Sequence, residues 1–243
     1  MEKSKNEKVK VVALLTAAGV GSRMHYDIPK QFIPVEDKPI IVYTLEAFQN
    51  HPGIDEIIVS CLDGYDTYLY ACAKQYNITK LKNIVKGGRT GQESITNCLD
   101  RLKEIGLDDN DIVMVHDGNR PLVPSGVITE SIASCITKGN AVAHVPCNGV
   151  VIKTEDQYHC DEQLDRDYIK ITQTPHTFRF GKLYKAYKLV QEEGKTNMVA
   201  PCSVMMALGE EVFLSTGSEL NFKITTQEDL VIFKALVRTR KMD

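Results

Sequence analysis

Short β-branched runs alternating with stretches of helical spacing predict an α/β fold, a mostly parallel sheet with helices on both faces. Three observations carry that expectation. The runs from Val9 into Ala17, from Ile54 to Leu62 and from Asp111 to Val115 are apolar enough for strands buried on both sides. Each strand end opens into a loop of glycines or charges. Between the runs, apolar residues recur at spacings of three and four, as in helices that cross back over a sheet. Ligands of such sheets sit beyond the carboxyl ends of the strands, so these loops should converge on one crevice.

Taken in order, the first strand enters the small-residue loop Ala17-Ala18-Gly19-Val20-Gly21, which leads to Arg23 and then to Pro29-Lys30-Gln31. A helix is predicted over 39–50, where Pro39 suits a first turn and Ile41, Leu45 and Phe48 share a face. The strand at 54–62 ends at Asp63-Gly64, a helix follows from Asp66 to Tyr76, and a short strand from Asn83 to Lys86 runs into Gly87-Gly88-Arg89-Thr90-Gly91. Ile95, Cys98, Leu99, Leu102 and Ile105 mark the next helix, ended by Gly106. The strand at 111–115 leads into His116-Asp117-Gly118-Asn119-Arg120-Pro121, and Ser125 is placed to cap a helix that bears Val127, Ile128, Ile132 and Ile136.

The alternation breaks from about 141 to 172, where no helical pattern covers the extended chain. A hairpin of that kind is either an exposed edge or a projecting β-arm for pairing with another subunit. Regular structure resumes with a helix over 182–193, a helix opened by Pro201, a strand at 211–214 and the segment Asn221-Phe222-Lys223-Ile224, read as extended. The last helix begins at Thr225, with Glu228 completing a capping box and Leu230, Val231, Phe233 and Leu236 facing inward. Without a repeat, low-complexity stretch or linker, the 243 residues read as a single domain carrying the arm.

Composition excludes several classes of function. Hydrophobic residues at 43% and charged residues at 25% are ordinary for a globular protein, and a formal charge of −3 provides no field for a nucleic acid. A small anion held by local cations is the better expectation. Seven cysteines stand singly, without a Cys-x-x-Cys pair, and read as buried small hydrophobes of a reducing compartment. His144 with Cys147, and His159 with Cys160, lack the second pair that a metal site would need. The polar start MEKSKNEK is no signal peptide, no run reaches the ~20 apolar residues of a membrane span, and a cytoplasmic location is expected.

The first glycine loop brings backbone N–H groups within reach of a phosphate, with Arg23 and Lys30 as the cations beyond it. It is not a dinucleotide fingerprint, because Met24 stands where the third glycine belongs, and no Gly-Lys-Ser/Thr makes it a Walker loop. Taken alone it is equally a tight strand-to-helix turn. Together with the second glycine loop, the Asp-x-x-Arg-Pro turn and the late lysine, it suits nucleotidyl transfer, with Asp117 as the carboxylate for Mg²⁺.

The ordered motifs TAAGVGSRM, PKQF, VHDGNRP, QTP and NFKITTQEDL resemble those of the CTP-dependent cytidylyltransferases of sugar-alcohol phosphates, the group of 2-C-methyl-D-erythritol 4-phosphate and ribitol 5-phosphate cytidylyltransferases. That resemblance spans nearly the whole chain and implies a Rossmann-like sheet of the nucleotide-diphospho-sugar transferase type. It implies that Arg23, Lys30 and Lys223 serve the triphosphate and the transition state. Ala17, Ala18, Gly19 and Gly21, with Gly88, Ser94 and Asp117, would hold the nucleotide, while Arg120 and Arg166 would meet the acceptor. Arg166 would act from the arm of a partner, which makes the active unit a homodimer.

The chain departs from the family pattern at four places. Arg89 precedes by two positions the place of the usual arginine, Gly91, and Asn119 replaces a small apolar residue. An arm threonine falls near Val150 or Val151, and Val199-Ala200-Pro201-Cys202-Ser203 replaces a Thr-Asp segment. The departures fall where base and acceptor pockets would be shaped. A sugar-nucleotide pyrophosphorylase with another triphosphate, or a non-catalytic nucleotide-binding relative, are the alternatives.

Overall fold

The computed structural model describes residues 8–21, 28–196 and 198–240. Alternation along β1 (Val11–Ala17) shows how the sequence builds a two-faced core. Val11, Ala13, Leu15 and Ala17 face one layer of helices, while Val12 and Leu14 face the other. The first layer holds α1 (Ile40–Gln49), α2 (Asp66–Gln75) and α4 (Ser125–Lys138). On the opposite face lie α3 (Gly91–Glu104), α5 (Phe180–Glu192) and α6 (Pro201–Ala207). A third cluster joins the small hairpin of β2 (Pro34–Val35) and β3 (Lys38–Pro39) to α7 (Gln227–Arg240) through Ile33, Val35, Leu230 and Phe233.

β1 is the centre of the parallel part of the sheet, paired with β4 (Glu56–Cys61) on one side and β6 (Ile112–Asp117) on the other. β5 (Leu81–Lys86) extends it beyond β4. With β7 (Asn140–Pro146), β10 (Lys170–Arg179) and β11 (Leu214–Thr216), the order is β11-β7-β10-β6-β1-β4-β5. β10 runs antiparallel to both β6 and β7 and is the exception in an otherwise parallel sheet. The expected mostly parallel α/β architecture is therefore what the chain forms.

Some expectations change. The arm does not begin at 141: β7 lies inside the main sheet, and Lys170 to Thr172 pair with His144 to Pro146. What projects is the stretch after Pro146, whose short β8 (Val151–Lys153) and β9 (Glu162–Leu164) pair only with each other. The strand expected at 211–214 is β11, shifted to 214–216, and 221–224 is not a strand. Pro124, rather than Ser125, is the N-cap residue of α4. At α7 the reciprocal cap joins Thr226 and Asp229, because the Asp229 carboxylate accepts from both Thr225 and Thr226 N–H. Val231, expected to face inward, is exposed, as are Ile105 and Ile136 of the apolar helical patterns. Five cysteines are buried, but Cys147 is half-buried and Cys160 is exposed on the arm. No helix among the described residues is long and apolar enough to cross a membrane.

Candidate active site

The loop after β1 is stitched to the turn that follows it. Pro29 leads into a single 3₁₀ turn, Lys30–Phe32, which buries Gln31 at 2% exposure. Its Nε2 donates to the carbonyls of Ala17 at 2.7 Å and Gly19 at 3.0 Å. Gly21 has φ +72°, and a Cβ there would meet Lys30 Cβ and Cγ at 3.0 Å, so glycine lets the loop lie against the lysine.

The second glycine loop approaches the first. A Cβ on Gly87 would come within 2.1 Å of Ala18 Cβ, an approach only glycine allows. Ser94 in the first turn of α3 accepts the Gly88 N–H at 3.0 Å and donates to the Thr90 carbonyl at 2.9 Å. Thr90 caps α3 by accepting the Glu93 N–H. Serine and threonine at these positions hold the loop by short-range bonds that close the helix start.

Beyond β6 the charges gather. Asp117 accepts Arg120 Nε at 2.9 Å on one carboxylate oxygen and Lys223 Nζ at 2.9 Å on the other. Burial pushes the Asp117 carboxyl up, but Lys223 and Arg120 together outweigh it and hold it below the usual carboxylate range. The Lys223 segment reaches the site as an irregular strap. Arg120 Nη1 donates to the Asn221 carbonyl at 2.6 Å, and Asn221 Nδ2 donates to the Thr174 carbonyl at 2.7 Å. Asn119 Nδ2 donates to the Ile224 carbonyl, and the Ile224 N–H returns to the Asn119 carbonyl at 2.9 Å. Two histidines pack into the same wall. Burial lowers His116 to about 3 and His176 to about 4, so both are neutral near pH 7.

These pieces enclose one cavity of about 440 Å³ at the carboxyl ends of β1, β5 and β6. Of the residues singled out from sequence, Ala17, Ala18, Gly19, Lys30, Gly88, Ser94, Asp117, Arg120 and Lys223 line it. Gly21 stands behind Lys30. Arg23 lies outside the described residues. Arg166 is elsewhere: it borders a separate depression on the arm with Val150, Gln163 and Asp165, and donates to the Asn148 carbonyl at 3.2 Å. Gln31 and Asn221 were not singled out as site residues, and Asn119 was noted only as a departure from the family pattern. Gln31 carried one local signal, its place directly after Pro29-Lys30, whereas the bonds of Asn119 and Asn221 join distant parts of the chain.

Among the described residues no three His, Cys, Asp or Glu side chains gather as a metal cage. Asp117 offers one carboxylate, already shared with two cations. That donor set fits a magnesium ion held jointly with a triphosphate, since magnesium uses one or two carboxylates plus phosphate oxygens.

Glycine-loop backbone, converging cations and a lone carboxylate at the strand ends of such a sheet define a nucleotidyltransferase. Comparison with known proteins narrows the class. The family model of IspD, 2-C-methyl-D-erythritol 4-phosphate cytidylyltransferase, matches residues 11–239, and the chain belongs to that family. A ribitol-5-phosphate cytidylyltransferase of Lacticaseibacillus paracasei is 36% identical over 234 residues, covering 96% of this chain and 100% of the relative. A 2-C-methyl-D-erythritol 4-phosphate cytidylyltransferase of Clostridium tetani is 37% identical over 228 residues, 93% of this chain and 89% of the relative. The crystal structure of the Francisella tularensis 2-C-methyl-D-erythritol 4-phosphate cytidylyltransferase superimposes with a TM-score of 0.77 at 27% identity, covering 92% of this chain and 97% of that one. The protein is a cytidylyltransferase.

Proposed function

We propose that the protein transfers CMP from CTP to a polyol phosphate of the 2-C-methyl-D-erythritol 4-phosphate or ribitol 5-phosphate type and releases pyrophosphate. The observation that supports this reading best is that Lys223 and Arg120, both paired with Asp117, line one cavity together with Lys30 and two glycine loops. An acceptor phosphate oxygen attacks the α-phosphorus in line, a new P–O bond forms, and the bond to the β-phosphate oxygen breaks. Two anions must approach each other for this, and the reaction needs cations fixed beforehand where negative charge accumulates.

Lys30 and Lys223 fill that role, with Arg23 as the third cation. The glycine loops hold the base and ribose, and Gln31 keeps the first loop in shape. Asp117 and the triphosphate would hold Mg²⁺, which when bound supplies charge neutralisation. The arm pairs two chains into a homodimer, so that Arg166 of each reaches the acceptor site of the other. The site is read as working in the cytoplasm. Relatives carrying either acceptor's name match at nearly equal identity, 36% and 37%, so the reading keeps both acceptors.

The test is incubation with CTP, Mg²⁺ and the two polyol phosphates in competition, followed by mass analysis. Pyrophosphate and a CDP-polyol are expected. Folded protein that releases no pyrophosphate with either acceptor overturns the reading, and a larger thermal shift with UTP, GTP or ATP than with CTP overturns the choice of nucleotide.

A further inference from the structure

Between α5 and α6, residues 195, 196, 198 and 199 lie in no helix or strand, yet Val199 and Ala200, with Pro201 at the start of α6, form a wall of the cavity. The backbone of this connection is held by the first turn of α3. Gln92, the second residue of α3 and 8% exposed, donates through Nε2 to the Lys195 carbonyl and accepts the Met198 N–H at Oε1, both at 2.9 Å. Ala200, the N-cap residue of α6, makes no side-chain cap. Val199 is 95% exposed, so it is presented by held backbone rather than by burial of its own side chain.

We propose that Gln92 is a positioning residue that latches this connection over the cavity, and that the latched wall sets the affinity for the acceptor. The inference rests on the polyol phosphate reading above. The nucleotide loops are held by other groups, since Ser94 fixes Gly88 and Gln31 fixes Ala17 and Gly19, and neither bond involves the Gln92 side chain. Val, Ala and Pro side chains offer no donor or acceptor for the edge of a base. They enclose a carbon skeleton and exclude water from the attacking phosphate. A carboxamide is suited to the latch because it donates and accepts at once, matching one carbonyl and one N–H.

The experiment compares Gln92→Leu and Gln92→Glu with the wild type in steady-state turnover. Loss of two partly buried hydrogen bonds in Gln92→Leu is expected to raise KM for the polyol phosphate about tenfold, with KM for CTP within about twofold and kcat within about threefold. Gln92→Glu keeps the acceptor for Met198 but loses the donor to Lys195, and should fall between. It carries the test if the leucine variant does not fold. A joint rise of both KM values, or an unchanged acceptor KM, overturns the proposal. Amide exchange at Met198 reads the latch without turnover: it should be slow in the wild type and about tenfold faster in Gln92→Leu. Equal exchange in both proteins overturns the latch even where no acceptor is turned over, whereas slow wild-type exchange released by the variant, without turnover, counts against the acceptor reading alone.

Discussion

The cavity, lined mostly by loops and helix starts, and the arm, a short two-stranded hairpin, solve opposite problems. In the cavity, Asp117 and Arg120 are largely buried, and each finds its partner within the same chain. On the arm, Val150, Tyr158 and Tyr168 are 74%, 90% and 85% exposed, and the described contact of Arg166 is a backbone carbonyl of the arm itself. A cavity that satisfies its own charges is organised before substrate arrives. The arm leaves aromatic rings in water, which is the feature that supports the proposed pairing of two chains. The comparison separates residues whose loss should destroy chemistry from residues whose loss should matter only between chains.

The largest effect is expected at Lys30. Lys30→Ala should lower kcat/KM by about 100-fold or more, the scale of removing a preorganised group at developing charge, while the melting temperature stays nearly unchanged. Equal loss of turnover and stability would make Lys30 structural and break the contrast. A smaller effect belongs to Arg166. Arg166→Ala should raise acceptor KM by about tenfold and leave CTP binding intact. In the proposed homodimer, mixing it with Lys30→Ala chains should restore part of the activity, because each mixed dimer would keep one intact site. Failure of the mixture to recover would place the action of Arg166 within its own chain.

The smallest effect is on stability against pH. Burial holds the folded pKa of His176 at about 4, below the ordinary value of 6.5. The unfolded chain therefore takes up a proton that the folded chain refuses. The contribution is fully present above about pH 6.5 and declines as the pH falls toward 4, by up to about 2 kcal/mol at pH 5. Denaturant melts of wild type and His176→Gln at pH 7 and 5 measure it: the wild type should lose more stability than the variant. An equal loss in both would show that His176 is not the group concerned.

Much of this arrangement was legible in the chain. β1, α3 and the first two crossovers follow from periodicity, because the helices pack one layer each and the apolar residues of β1 are divided between the two layers. The site loops follow from their position after strands. Legibility failed where local pattern and tertiary environment part. Val231 has the spacing of a core residue, but the packed face of α7 runs through Leu230 and Phe233. The Lys223 strap resembles a strand in composition, yet its carbonyls are taken by Arg120 and Asn119 instead of a neighbouring strand. Alternation at 141–146 is the same for an arm as for a sheet interior, and only pairing with β10 distinguishes them. Gln92 and Asn119 act on partners more than a hundred positions away, a distance at which sequence carries no period to read.

The reversed direction of β10 has a structural consequence. A strand parallel to its neighbours would enter the sheet at the end remote from the cavity. Running against them, β10 enters at the cavity end, so the chain leaves the arm at Lys170 and lines the cavity at once with Thr172, Gln173 and Thr174. Arm and wall therefore meet within one strand. The pairing of β10 with β7 shifts register between Thr172 and His176, and within that irregular stretch the Asp117 N–H is bonded to the Thr174 hydroxyl at 3.1 Å, so the chain that leaves the arm is tied directly to the wall beside Asp117.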